Sequence, residues 1–214
     1  MPRVTTAFAA AVALFLPIGR PLLVGLTPAV GFGAGLLTTQ AAYAQNATDL
    51  LNSGLDKAKS GNLKGAIADW TKAIEIYPKY ALAYYNRGVV KDKLKDHFGA
   101  NDDYTKAIQI NPYDQDAYYN RGKLKKDEFN DYEGAITDYT KAIEIIPKFS
   151  EAYINRGIAK DQSKDYEGAI ADYTKAIEIN PNDDAAYHNR GSSKEKLEDY
   201  KGALKDYEKS LSIN

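Results

Sequence analysis

Glycine recurs in this chain as Gly54, Gly88, Gly122, Gly157 and Gly191, at intervals of 34, 34, 35 and 34 residues. Pro78, Pro112, Pro147 and Pro181 keep the same step, 34, 35 and 34. A chain written on such a period does not fold around a single centre. It forms a row of like units, each burying its apolar face against its neighbours. The units are predicted at 47–80, 81–114, 115–149, 150–183 and 184–214, with the one extra residue between Lys126 and Asp131.

Each unit reads as two helices joined by a short polar turn. The first carries an Ala-Tyr-x-Asn-Arg-Gly pattern, as in Ala117-Tyr118-Tyr119-Asn120-Arg121-Gly122. The second carries Gly-Ala-Ile-x-Asp-Tyr-Thr-Lys-Ala-Ile, as from Gly168 to Ile177. Asn62, Asp96, Asp131, Asp165 and Asp199 are predicted to cap the second helices, because a short polar side chain accepts from the first unpaired amides. The prolines stop the first four of these helices. The recurring glycines, with Ala66, Ala100, Ala135, Ala169 and Ala203 and with Ala73, Ala107, Ala142 and Ala176, let the two helices approach closely. Trp70, Tyr104, Tyr139, Tyr173 and Tyr207, with Tyr84, Tyr118, Tyr153 and Tyr187, then fill the gaps as inter-helix core.

These columns resemble the tetratricopeptide repeat family over about 47–214. The chain departs from the family pattern at the extra residue near Phe129, at Ser210 in place of the last alanine, and in carrying Arg before the glycine. The resemblance implies an all-α, right-handed superhelical solenoid of five helix-turn-helix repeats. It also implies that the first helices line a concave groove that binds proteins or peptides.

On that reading Asn52, Asn86, Asn120, Asn155 and Asn189 face the groove, one per repeat. An amide side chain both donates and accepts, so a row of them can hold the backbone of an extended peptide without reading its sequence. This resembles the asparagine ladder of some family members. The competing reading is a column copied by duplication, whose amides bond within or between first helices. The neighbours one turn apart are Leu51 and Leu55, Tyr85 and Val89, Tyr119 and Lys123, Ile154 and Ile158, and His188 and Ser192. Asp92, Asp116, Glu151, Asp161 and Glu195 add acid near the same face. The cationic clamp that some members use for carboxylate tails is missing. A mixed apolar and acidic groove suits a ligand with hydrophobic anchors and some basic residues.

Arg87, Arg121, Arg156 and Arg190 form a further column, with Ser53 in the first repeat. Asp69, Asp103, Asp138, Asp172 and Asp206 form another, each ahead of a second-helix aromatic. The favoured expectation pairs each Arg with the Asp of the preceding repeat. The alternative pairs each Asp with the Lys three residues on, as in Asp69 and Lys72.

Residues 1–44 hold only two charges, Arg3 and Arg20. Each precedes an apolar stretch, 7–17 and 22–37, and Ala42-Tyr43-Ala44 then offers a small-x-small cleavage pattern. The segment is predicted to be an export signal cut before Gln45, which leaves 45–214 as the repeat domain. An uncleaved anchor, giving membrane association through 1–44, is the alternative. Against it, Gly25, Pro28, Gly31, Gly33 and Gly35 make the second stretch a poor helix.

The chain has no Cys and two His, which excludes disulfide frameworks, cysteine nucleophiles and thiolate metal sites. With 28 Lys+Arg against 29 Asp+Glu, interspersed, no basic stripe for nucleic acid is present. His97 and His188 lie in unlike places, so no metal and no cofactor is expected. No Gly-rich phosphate loop or nucleophile motif occurs. Leu204, Tyr207 and Leu211 would face a sixth repeat, a surface for another protein or for self-association through the C-terminal end. The sequence therefore predicts a non-enzymatic adaptor of an exported compartment, periplasm or an equivalent lumen. It would bind a protein or peptide through the Asn column with Tyr85, Tyr119, Val89, Ile154, Ile158, His188, Asp116 and Glu151. A membrane-tethered assembly factor, and an enzyme or enzyme subunit, are the rival readings.

Overall fold

The computed structural model describes residues 32–213, with side chains for 44–213. Ten helices and no strands are found among the described residues. They are α1 Phe32–Lys59, α2 Leu63–Ile76, α3 Ala81–Lys93, α4 His97–Ile110, α5 Gln115–Asp127, α6 Tyr132–Ile145, α7 Ser150–Gln162, α8 Tyr166–Ile179, α9 Asp184–Lys196 and α10 Tyr200–Ile213. Consecutive helices pair as hairpins, from α1 with α2 to α9 with α10, and each hairpin packs on the next. The result is an all-α repeat solenoid.

Each recurring glycine is the seat of an aromatic ring. A Cβ on Gly157 would stand 2.6 Å from Tyr173, and one on Gly122 would stand 3.1 Å from Tyr139. Any larger residue there would push the ring, and with it the second helix, away. Trp70, Tyr104, Tyr139 and Tyr173 are at most 1% exposed in these seats. Each contributes about 2–3 kcal/mol by burial. The two alanine columns close the rest of the gap; these four second-helix rings are core, while Tyr207 and the first-helix Tyr84, Tyr118, Tyr153 and Tyr187 are half-buried.

The helix ends follow from local chemistry. Asn62, Asp96, Asp131, Asp165 and Asp199 accept from the glycine amide three residues on, at 2.9–3.0 Å. Asp114 and Asp183 cap α5 and α9 in the same way, which the column reading did not anticipate. The first helices stop at a left-handed residue, Gly61, Lys95, Asn130, Lys164 or Glu198. The second helices stop two residues ahead of each proline, whose ring disfavours helical backbone at the residue before it. The extra residue of the third repeat lets Phe129 stack on Phe98 of the hairpin before it, at 5.1 Å.

The Arg expectation needs correction. Arg121 donates to Asp138 of its own hairpin, from Nε at 2.9 Å and Nη2 at 2.6 Å. Its Nη1 donates to Thr105 of the preceding hairpin at 3.0 Å. Arg87, Arg156 and Arg190 repeat both contacts with Asp103 and Thr71, Asp172 and Thr140, and Asp206 and Thr174. The ion pair is thus intra-repeat, and a threonine carries the inter-repeat link. The aromatic seat explains this: with Gly122 against Tyr139, Arg121 must lie beside Asp138. Nor is the helical neighbour the partner of each Asp. Lys57, Lys91, Lys125, Lys160 and Lys194, from the facing first helices, fill that role. In the first repeat Ser53 stands in the arginine's place and donates to Asp69 at 2.6 Å.

At the N-terminal side, α1 starts at Phe32 and takes in Gly33 and Gly35. Helix there extends a turn already nucleated by packing, so the cost is only about 1 kcal/mol per glycine. Residues 1–31, where Arg3, Arg20 and most of the predicted signal fall, lie outside the described residues. No described helix is long and apolar enough to cross a membrane. Ala47 is buried at 1% exposure, and so the packed repeat array already includes it. At the other side Leu204 and Leu211 are 58% and 77% exposed, whereas Ile74, Ile108 and Ile143 at the place of Leu211 are 8–9% exposed.

Arg121→Ala leaves Asp138, 1% exposed, with Lys125 as its remaining cation. We expect a loss of about 2–4 kcal/mol in urea unfolding. An unchanged midpoint would show that the pair contributes nothing net.

Candidate functional site

Successive first helices touch, α1 with α3, α3 with α5, α5 with α7 and α7 with α9, while successive second helices do not. A row of hairpins bends toward the side where its helices lie closer. The first helices, which carry the Asn column, therefore lie on the inner side of the curve.

That column divides in two. Asn120 Nδ2 donates to the Tyr85 hydroxyl at 3.0 Å, and Asn155 Nδ2 donates to the Tyr119 hydroxyl at 3.0 Å. Asn155 Oδ1 accepts from Lys126 at 2.9 Å. These two rungs tie neighbouring first helices together, the inter-helix role weighed as the alternative. Asn52, Asn86 and Asn189 make no side-chain bond with a described residue. Asn86 and Asn189 line clefts between hairpins.

The candidate residues gather in groups. Tyr85, Asn120 and Asp116 form one, and burial, then Asp116 and Asp114, push the Tyr85 hydroxyl above its usual range. Tyr119, Asn155 and Glu151 form the next; burial, then Glu151 and Asp127, raise Tyr119 likewise. Burial also raises the Asp116 carboxyl. Tyr85 leans on Tyr104 and Tyr119 on Tyr139, with ring centres at 6.1 and 5.8 Å, so the groove tyrosines are braced from behind. His188 rests on Tyr207 at 5.4 Å. Val89 lines an apolar cleft of about 290 Å³ with Asn86, Leu55 and Leu63. Ile158 stands between two polar clefts, one holding Lys126 and Asp127 and the other Asp161 and Asn189. Ile154 is half-buried on the inner helix α7. The groove is therefore apolar toward the first hairpins and polar toward the last.

One sequence expectation shifts. Leu51 belongs to the core, 5% exposed, and its carbonyl accepts from the Trp70 indole at 3.1 Å. His97 opens α4 and lies between Asp92 at 3.0 Å and Glu128 at 3.3 Å. Among the described residues no group of three or more His, Cys, Asp or Glu could hold a metal. The column reading overlooked Gln162 and Ser193. Both depart from what most other repeats carry at those places, and such departures were the available signal.

In the last two repeats the residue four past the glycine meets the tyrosine hydroxyl. Asp161 accepts from Tyr173 at 2.7 Å and Glu195 accepts from Tyr207 at 2.8 Å. The third repeat has Lys126 there, and the buried Tyr139 hydroxyl has no partner among the described residues. Tyr139→Phe is expected to leave stability unchanged or raise it by about 1 kcal/mol, whereas Tyr173→Phe lowers it by about 1–2 kcal/mol. Thermal unfolding of the two variants side by side checks the contrast.

Family models described as tetratricopeptide repeat match residues 81–114, 115–149, 150–183 and 172–205, and one described as TPR repeat matches 54–95. No curated protein matches the sequence. Among solved structures, YrrB, a TPR protein with an unusual peptide-binding site, is 21% identical with a TM-score of 0.74, over 83% of this chain and 91% of that one. MamA from Desulfovibrio magneticus is 19% identical with a TM-score of 0.73, over 78% and 94%. PilF of Pseudomonas aeruginosa is 24% identical with a TM-score of 0.65, over 84% and 78%. At these identities the likeness is one of fold.

Proposed function

The chain belongs to the tetratricopeptide repeat family, and on that premise we propose that it is an adaptor that holds an extended peptide or protein segment along its inner face. The observation that carries this reading is the split Asn column. Asn120 and Asn155 are spent on bracing the first helices, while Asn86 and Asn189 open into inter-hairpin clefts with no partner of their own. An amide that faces a cleft unpaired is ready to meet a peptide N–H or C=O. The apolar cleft around Val89 suits a hydrophobic anchor, and Asp116 and Glu151 suit basic residues nearby. The reading gives the chain no chemistry of its own.

The test is affinity capture with the full chain beside an Asn86→Ala variant of unchanged circular dichroism. A groove ligand is expected to bind the variant about tenfold more weakly, the loss of roughly one amide bond. Asp116→Lys with Glu151→Lys should weaken it similarly. A partner retained at full affinity by both variants would move binding off the inner face and leave the column to architecture.

Export is part of the same proposal. Its support is the charge-poor segment 1–44 and the Ala42-Tyr43-Ala44 pattern, which falls within α1. N-terminal sequencing of the protein from its native source is expected to begin at Gln45. A membrane-bound chain that keeps residues 1–44 would instead favour the tethered assembly factor.

A further inference from the structure

The fifth repeat departs from the others at two adjacent places on the inner face. Directly after the seat glycine come Leu55, Val89, Lys123 and Ile158, and then Ser192. At the next place comes Asp56, then Val90, Leu124 and Ala159, buried at 5%, 2% and 0% exposure, and in the fifth repeat Ser193 at 1%. The longer side chains of the first place thus give way to the small hydroxyl of Ser192, and the second place gains the hydroxyl of Ser193. A cleft of about 380 Å³ lies there between α7, α8 and α9, lined by Asp161, Gln162, Tyr173, Asn189, Ser192 and Ser193 among others.

Asp161 is the anion of this cleft. Its carboxylate accepts from the Tyr173 hydroxyl at 2.7 Å and from Ser193 Oγ at 2.7 and 2.9 Å. Among the described residues it pairs with no cation, unlike the second-helix aspartates, each of which is met by a lysine. Burial pushes its carboxyl above the ordinary range, while the two hydroxyls pull it back. A half-buried carboxylate gains most from a ligand that brings the missing positive charge. Asn189 and Gln162 supply amide oxygens for further N–H donors, and Ile158 offers an apolar wall for a methylene stem. Lys196 lines the same cleft and is exposed.

We propose that this cleft is a subsite for one cationic side chain, lysine or arginine, of the bound peptide. The proposal rests on the inner-face reading and gives that groove a defined specificity position at its polar end. Ser192 makes the room, Asp161 supplies the charge, and Tyr173 and Ser193 hold the carboxylate in place.

The probe is n-butylammonium, with n-propylguanidinium as the arginine counterpart and n-butanol as the uncharged control, titrated into the isotope-labelled full chain by NMR. Saturable shifts at Asp161, Asn189 and Ser193 are expected for both cations, with Kd about 1–10 mM. Asp161→Asn keeps an acceptor oxygen for Tyr173 and Ser193 and is expected to weaken binding at least about tenfold. Ser192→Leu restores the bulk found at Leu55 and is expected to do the same with the fold intact. Equal shifts with n-butanol, no saturable shift, or wild-type affinity in Asp161→Asn would each overturn the subsite. The small cations need no Asn rung, so Asn86→Ala should bind them as wild type does. Loss of peptide capture in that variant therefore reports on the groove, and loss of cation binding in Asp161→Asn reports on the subsite.

Discussion

An aromatic ring pressed onto a glycine is the contact on which this molecule depends. It occurs once per hairpin, and in the first four hairpins the ring is almost wholly buried. Because the glycine lacks a side chain, the ring sets both the distance between the two helices and their register. Register in turn decides which polar groups can meet. Arg121 precedes Gly122, Asp138 precedes Tyr139, and the ring contact brings these neighbours together as a bidentate pair. The same reasoning places Lys125, one turn on, against the other side of that carboxylate.

Repeats joined only by apolar contact could slide. Here each arginine also reaches back to a threonine of the hairpin before it and lies over the tyrosine three residues earlier in its own helix, at 5.4–5.8 Å. One guanidinium thus touches three helices in a fixed fork. The columns change at the first and last described hairpins: Ser53 stands in place of Arg in the first, and Glu208 in place of threonine in the last. Nearest-neighbour links of this kind are how a solenoid keeps a constant step from unit to unit.

The asparagines of the inner helices fall into two kinds. Where a tyrosine hydroxyl lies within reach on the preceding first helix, as at Tyr85 and Tyr119, the asparagine braces the curve. Repeats one and four have Leu51 and Ile154 at the tyrosine position, and Asn86 and Asn189 after them make no side-chain bond with a described residue. Whether an asparagine braces therefore depends on one neighbouring side chain. The same logic makes the polar end of the groove: a serine in place of an aliphatic residue leaves room, and Asp161 is left facing that room without a cation.

Much of this was legible in the residues. The period, the helix pairs, the capping aspartates, the proline stops and the small and large core columns all follow from local chemistry and from what two close helices can tolerate. Those are properties of single positions repeated at a fixed step. What the sequence left open were relations between positions far apart. Whether Arg121 meets Asp138 or Asp103 depends on which second helix lies beside it, and both carry the same residue at the same place. Whether an asparagine is free depends on the length and reach of a side chain 35 or 36 residues away. A repeated sequence offers several equal partners to every group, and only the packed distances between helices choose among them.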